Sequence, residues 1–175
     1  MPDLTALPVL ADQAPLASSG IRLSSLSEGT ILQVIAGPAA PDQTARVERL
    51  AGEAGLAART LSPCQWLLIG DQPTTHADRK RLLAALEPLA SGIDQSHGRV
   101  RMRLEGPMAV NVLSKGTGVD LDPEAFPPGK SVVTLIGHVS AHLTRLDVED
   151  FEISVLRGFA QAVWGDLSRM SEEYM

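Results

Sequence analysis

Ionisable side chains recur at every second position between Ser96 and Glu105: His97, Arg99, Arg101 and Arg103. Val100, Met102 and Leu104 fill the places between them. Period two with one apolar face defines a half-buried strand, so the cations form a stripe on its other face. A guanidinium is a planar fork that pairs carboxylates through two parallel hydrogen bonds. The stripe therefore suits an acidic protein surface, or is solvated. Gly106-Pro107 stops the strand and opens a helix, because proline fits the first helical turn, where an N–H is unpaired anyway.

Other groups that could do chemistry fall short of it. Ser96 and His97 are adjacent, so on a strand they point to opposite faces, and there is no Gly-x-Ser-x-Gly elbow for a nucleophile. His138 and His142 are four apart. In an alternating segment that puts them about 13 Å from each other at roughly 3.3 Å per residue, too far for one metal ion. Asp94, before a turn, is expected to accept hydrogen bonds from the backbone that follows it. Gly116-Thr117-Gly118 lacks the third glycine and the strand–helix context of a phosphate loop. The single cysteine excludes an internal disulfide and a thiolate cluster, and Cys64 is expected to be a small buried hydrophobe. No catalytic, cofactor-binding or metal-ligating residue is assigned. Asp94, His97, Arg99, Arg101, Arg103, His138 and His142 stand as interface candidates.

The elements that position these groups follow from pattern and punctuation. Residues 1–29 show no clean period and read as an extended arm, with a short strand near Ile21–Leu23, able to pack on its own domain or reach a partner. Residues 30–175 read as one α+β domain, whose two halves could be a degenerate internal repeat. Strands are expected at Thr30–Gly37, Gln65–Gly70, 96–105, Ser131–Ile136, Val139–Leu146 and Phe151–Val155. Helices are expected at Pro41–Leu56, Thr75–Leu89, Pro107–Lys115 and Gly158–Met170. Thr75 and Asp78 are placed for a capping box. Leu82, Leu83, Leu86 and Leu89 should face inward on the second helix, and Phe159, Val163, Leu167 and Met170 on the last. Runs of antiparallel strands with helices on one face give an α+β fold with antiparallel or mixed sheets.

Composition narrows the function classes. With 175 residues and 44% hydrophobic content the chain can bury a sizeable core, and 3% aromatic residues make that core aliphatic. Few aromatics and a net charge of −6 oppose nucleic-acid binding. No stretch approaches the roughly 18 apolar residues of a membrane span, and the N-terminus lacks the basic and apolar regions of a signal peptide. The expectation is a soluble, cytoplasmic protein.

Five stretches together resemble the tetrahydrofolate-dependent aminomethyltransferase superfamily. They are the Asp94-Gln95-Ser96-His97 run with its strand and Gly106-Pro107; Ser62-Pro63-Cys64-Gln65-Trp66-Leu67-Leu68; Leu113-Ser114-Lys115-Gly116 with Asp120-Leu121-Asp122-Pro123-Glu124-Ala125-Phe126-Pro127-Pro128-Gly129; Phe151-Glu152-Ile153-Ser154-Val155; and Gly158-Phe159-Ala160 through Trp164. Within the superfamily the sequence is most similar to gamma subunits of heterotetrameric sarcosine oxidase, over roughly residues 62–172. The resemblance implies the fold of the N-terminal folate-binding domain of aminomethyltransferases. It implies a non-catalytic accessory subunit, acting in assembly and stability beside large flavin- and folate-binding subunits. The parent complex would demethylate sarcosine oxidatively to glycine and hold FAD, FMN, NAD and tetrahydrofolate, with no cofactor on this chain. The catalytic relatives carry a hairpin of the type Gly-Gly-Val-x-Asp-Asp-Leu. Here it reads Gly137-His138-Val139-Ser140-Ala141-His142-Leu143, with Ala141 and His142 at the acidic positions. Neither supplies a fixed negative charge beside a developing cation. That departure weighs against the alternative, a free-standing folate or one-carbon binding module, and an independent enzyme ranks last.

Overall fold

Alternation along the strands builds two antiparallel sheets that meet face to face, each with helices on its outer side. The computed structural model describes residues 8–37 and 41–175. In chain order the elements are β1 (Leu16–Ala17), β2 (Arg22–Ser25), β3 (Thr30–Ala36), α1 (Thr44–Glu53), β4 (Ala57–Ser62), β5 (Gln65–Gly70), α2 (His76–Leu86), β6 (Ala90–Asp94), β7 (Arg99–Glu105), α3 (Ala109–Ser114), β8 (Ser131–Ile136), β9 (Val139–Asp147), β10 (Asp150–Leu156) and α4 (Ala160–Ser171). One sheet has the order β1-β2-β7-β10-β9-β8 and the other β4-β5-β3-β6.

The smaller sheet, with α1 and α2, is a split βαβ unit of the β-α-β-β-α-β kind. The larger sheet repeats that plan in permuted form: β7, α3, β9, β10 and α4 supply five parts, and β2 supplies the last strand from the N-terminal side. The degenerate repeat thus exists in topology without sequence identity. The strand expected near Ile21–Leu23 is β2, with Ile21 and Leu23 buried, so this part of the arm lies within the fold. Residues 1–7 of the arm lie outside the described residues.

Each sheet turns its apolar face outward onto helices. Leu32, Val34, Trp66 and Leu68 pack against Val47 and Leu50 of α1 and Leu82 and Leu86 of α2. Met102, Leu104, Phe151, Ile153 and Leu143 pack against Val112 of α3 and Val163, Trp164 and Leu167 of α4. Burying each of these large side chains contributes about 1.5–3 kcal/mol, which holds each helical layer to its own sheet. The Thr75 cap of α2 forms as its spacing implies: the hydroxyl oxygen accepts from the Asp78 N–H at 3.1 Å and donates to the Asp78 carboxylate at 2.7 Å.

Four expectations need correction. Residues 96–105 are not all strand: β7 starts at Arg99, and Asp94 ends a separate strand, β6, that the sequence conceals. The other concealed strand is β4; both are edges of the smaller sheet, where less apolar surface is buried and the period-two signal fades. Cys64 is exposed at the β4–β5 turn, with φ of 61°, rather than buried. Leu89 lies beyond the end of α2 and Phe159 precedes α4, and both are exposed instead of inward.

Gly106 is fixed by backbone crowding as well as by its φ of 116°. A β-carbon there would lie 2.7 Å from the Gly20 carbonyl oxygen and 3.0 Å from the Ile21 α-carbon. The Gly106 N–H meanwhile donates to the Glu149 carbonyl at 2.9 Å. Gly106→Ala is expected to cost roughly 2–3 kcal/mol, from the strained φ and the displaced β2. Urea denaturation checks this through a lowered midpoint at unchanged slope.

Candidate functional site

The cationic stripe of β7 faces the second sheet of the same chain. Strand register sets the layout. Arg103, Glu152, Thr144 and Ser131 lie side by side across β7, β10, β9 and β8. One step along, Arg101, Ser154, His142 and Val133 form the next row. Arg99, Leu156 and, through Ser140, Leu135 form the last. Opposite them the smaller sheet presents Ile31, Leu67 and Ile69, a small apolar cluster, with Arg59 paired across to Leu67.

Charge neutralisation joins the two faces. The Glu152 carboxylate takes Nη1 of Arg59 at 2.6 Å and Nη1 of Arg101 at 3.4 Å. Arg101 also reaches Asp71, just after β5, at 2.8 Å. Arg101 and Glu152 are each only 3% exposed. Removing one partner of such a buried pair strands the other charge without water, which is why these groups act as a unit. The acidic surface that the arginines suit is therefore largely internal.

His142, in the β8–β9 hairpin, is buried on this face. Its Nε2 lies 2.9 Å from the Thr60 carbonyl, which can only accept, so the proton sits on Nε2. Desolvation, aided by the nearby Arg59 and Arg99 charges, outweighs that hydrogen bond and lowers its pKa from 6.5 to about 4. The imidazole is thus neutral across the physiological range. Ala141 points the other way, into the core under α3 and α4.

The remaining candidates are spread out. Asp94 accepts from the Ser96 N–H at 3.0 Å and its hydroxyl at 2.6 Å, and pairs with Arg79 at 3.2 Å. Partial burial opposes ionisation there, but Ser96, Arg79 and His97 outweigh it and hold the carboxyl below its usual range. This matches the structural role expected for Asp94. His97 is exposed, 3.6 Å from Glu28. Arg103 grips Asp150 through two bonds, at 2.9 and 2.6 Å. His138 is exposed at the β8–β9 turn. Arg99 is half-buried and its Nε–H has no acceptor. Beside it a cavity of about 300 Å³ is bounded by Leu10, Leu26, Ile31, Ser96 and Arg101. Among the described residues no group of three or more His, Cys, Asp or Glu is placed to hold a metal ion.

Sequence reasoning missed Arg145, which is 1% exposed. Its guanidinium donates to the carbonyls of Leu121 and Phe126, each at 2.9 Å, and to those of Asp147 and Val148. It also stacks 5.1 Å from the centre of the Phe151 ring. A lone arginine after an apolar strand run, facing a three-proline loop, was the available signal.

This arrangement of paired sheets defines a chain of the aminomethyltransferase type of α+β fold. The crystal structure of glycine cleavage system aminomethyltransferase T from Bartonella henselae superposes with a TM-score of 0.59 at 18% identity, over 83% of this chain and 44% of that one. The description "Sarcosine oxidase, gamma subunit family" matches residues 43–173, and the chain belongs to that family. Sarcosine oxidase subunit gamma of Corynebacterium sp. (strain U-96) is 28% identical over 118 residues, 67% of this chain. The match spans 57% of that relative's length. A chain in the structure of heterotetrameric sarcosine oxidase from Corynebacterium sp. U-96 in complex with pyrrole 2-carboxylate superposes with a TM-score of 0.78 at 23% identity, covering 95% of both chains.

Two outcomes test the site's physics. Glu152→Gln is expected to destabilise the chain by about 3–5 kcal/mol, read from urea unfolding, because Arg59 then loses its buried counter-charge. For His142, the unfolded ring protonates near 6.5 while the folded ring stays neutral until about 4. Its stabilising contribution is full above 6.5 and is lost as pH falls toward 4, by roughly 3 kcal/mol at most. Comparing unfolding midpoints of the wild type and His142→Gln at pH 7.5 and at about pH 4.5 isolates that slope, which the variant should lack.

Proposed function

We propose that the chain is a non-catalytic accessory subunit of a heterotetramer of the sarcosine oxidase type, acting in assembly and stability. The parent complex demethylates sarcosine oxidatively to glycine, and its large subunits hold FAD, FMN, NAD and tetrahydrofolate. Family membership supports this reading. The observation that carries it is His142. At the position of the relatives' carboxylate stands a neutral ring whose one N–H is committed to the Thr60 carbonyl. It offers no fixed negative charge to a reacting amine.

Among the described residues no helix is long and apolar enough to cross a membrane. Exposed apolar side chains at Val133, Leu135, Leu156 and Phe159 supply surface of the kind that large subunits bury. On this reading the isolated chain self-associates or is poorly soluble.

Co-expression of the tagged chain with flavin- and folate-binding subunits, followed by native mass spectrometry, is expected to give one stable complex carrying flavin. Recovery of the chain alone, with tetrahydrofolate bound, would return it to the folate-binding modules.

A further inference from the structure

We propose that the open row Arg99–Leu156–Leu135 is the docking surface for a partner subunit's segment that places a carboxylate on Arg99 and apolar side chains on the two leucines. This rests on the subunit reading above and adds which face is used and what chemistry meets it.

Three observations converge on this row. The smaller sheet reaches the rows of Arg101 and Arg103 through Arg59, Thr60 and Asp71, whereas Leu135 and Leu156 are 54% and 48% exposed, with Val133 of the next row 45% exposed beside them. Extending the β9–β10 register by one residue sets Ser140 between them. At about 4.8 Å per strand, the leucines stand about 10 Å apart and Arg99 about 5 Å further on. Beside them, the Ser154 hydroxyl in the next row is buried with no hydrogen-bond partner.

Charge decides the occupant. Arg103 has Asp150 and Glu105, and Arg101 has Glu152 and Asp71. Arg99 has no carboxylate within ion-pair distance among the described residues, and its Nε–H is both shut off from water and unbonded. Desolvation lowers its pKa. Among the described residues this half-buried cation has no ion-paired counter-charge, a cost to the free chain that a carboxylate from outside removes. A neutral apolar partner would bury the charge further. A second copy would bring the same Arg99 to its own symmetry mate if the row met itself. An acidic segment with flanking apolar residues satisfies both features, and arginine at the edge of an apolar patch is a common centre of binding energy.

The test is competition within the complex. Wild-type chain and Arg99→Met chain, distinguished by mass, are co-expressed with the large subunits, and native mass spectrometry reads the ratio incorporated. The wild type should be favoured by about 30-fold or more, the scale of a binding hot spot. The urea midpoint of the Arg99→Met chain alone should be unchanged or higher, because an uncompensated charge has been removed. Leu135→Ser should also lose the competition, with its own fold intact. Equal incorporation of Arg99→Met would overturn the docking surface and leave the subunit reading standing. A lowered urea midpoint would overturn it too, since the residue would then serve folding. Failure of the wild type to enter any complex would sink both.

Discussion

One carboxylate, Glu152, lies between two guanidinium groups at the centre of the molecule, and the arrangement of the sheets follows from it. Each sheet has an apolar core under its own pair of helices, where most of its large side chains are buried. What the sheets share is a thin contact, three buried aliphatic residues and a set of ionised groups. Coulombic attraction across a site of low dielectric is directional where apolar packing is not. The pairs therefore fix which residue of one sheet stands over which residue of the other. The hydrogen bond from His142 to Thr60 adds a second fixed point at the β4 edge.

The alternation of β7 was readable because every second residue from Val100 to Leu104 is apolar. What Arg101 faced was not readable, since its counter-charges are Glu152 on β10 and Asp71 just after β5, both distant in sequence. The Thr75–Asp78 cap was legible because it is local, three residues apart. β4 and β6 were hidden for the opposite reason: an edge strand needs only one hydrogen-bonding neighbour, and Ala57-Ala58-Arg59 or Ser91-Gly92 carries little side-chain signal. The family resemblance rested on short motifs at turns and strand ends, where backbone geometry demands particular residues, as Gly106 illustrates. Of the interface candidates, Arg101 and His142 take partners from the second sheet, which no single stretch of sequence records.

The hairpin of β8 and β9 ties the two layers together. Its polar position on the inner face holds an imidazole that bonds to the chain's own backbone. That bond closes a seam between layers. At the far end of β9, Arg145 is held by carbonyl dipoles and the Phe151 ring, and pins the proline-rich loop.

The order of the strands has a consequence for how the protein is made. The smaller sheet uses only residues 30–94 and is complete in sequence once β6 has been synthesised. The larger sheet must keep β2 waiting, because its neighbour β7 follows the whole inserted unit, and β7 in turn waits for β10. A chain emerging from the ribosome can thus fold its second layer first and its first layer last. Glu152 arrives on β10, so the charge that clasps the two layers is among the last parts delivered. Until then, Arg59 and Arg101 stand in water, and the nascent chain is two loosely tethered halves.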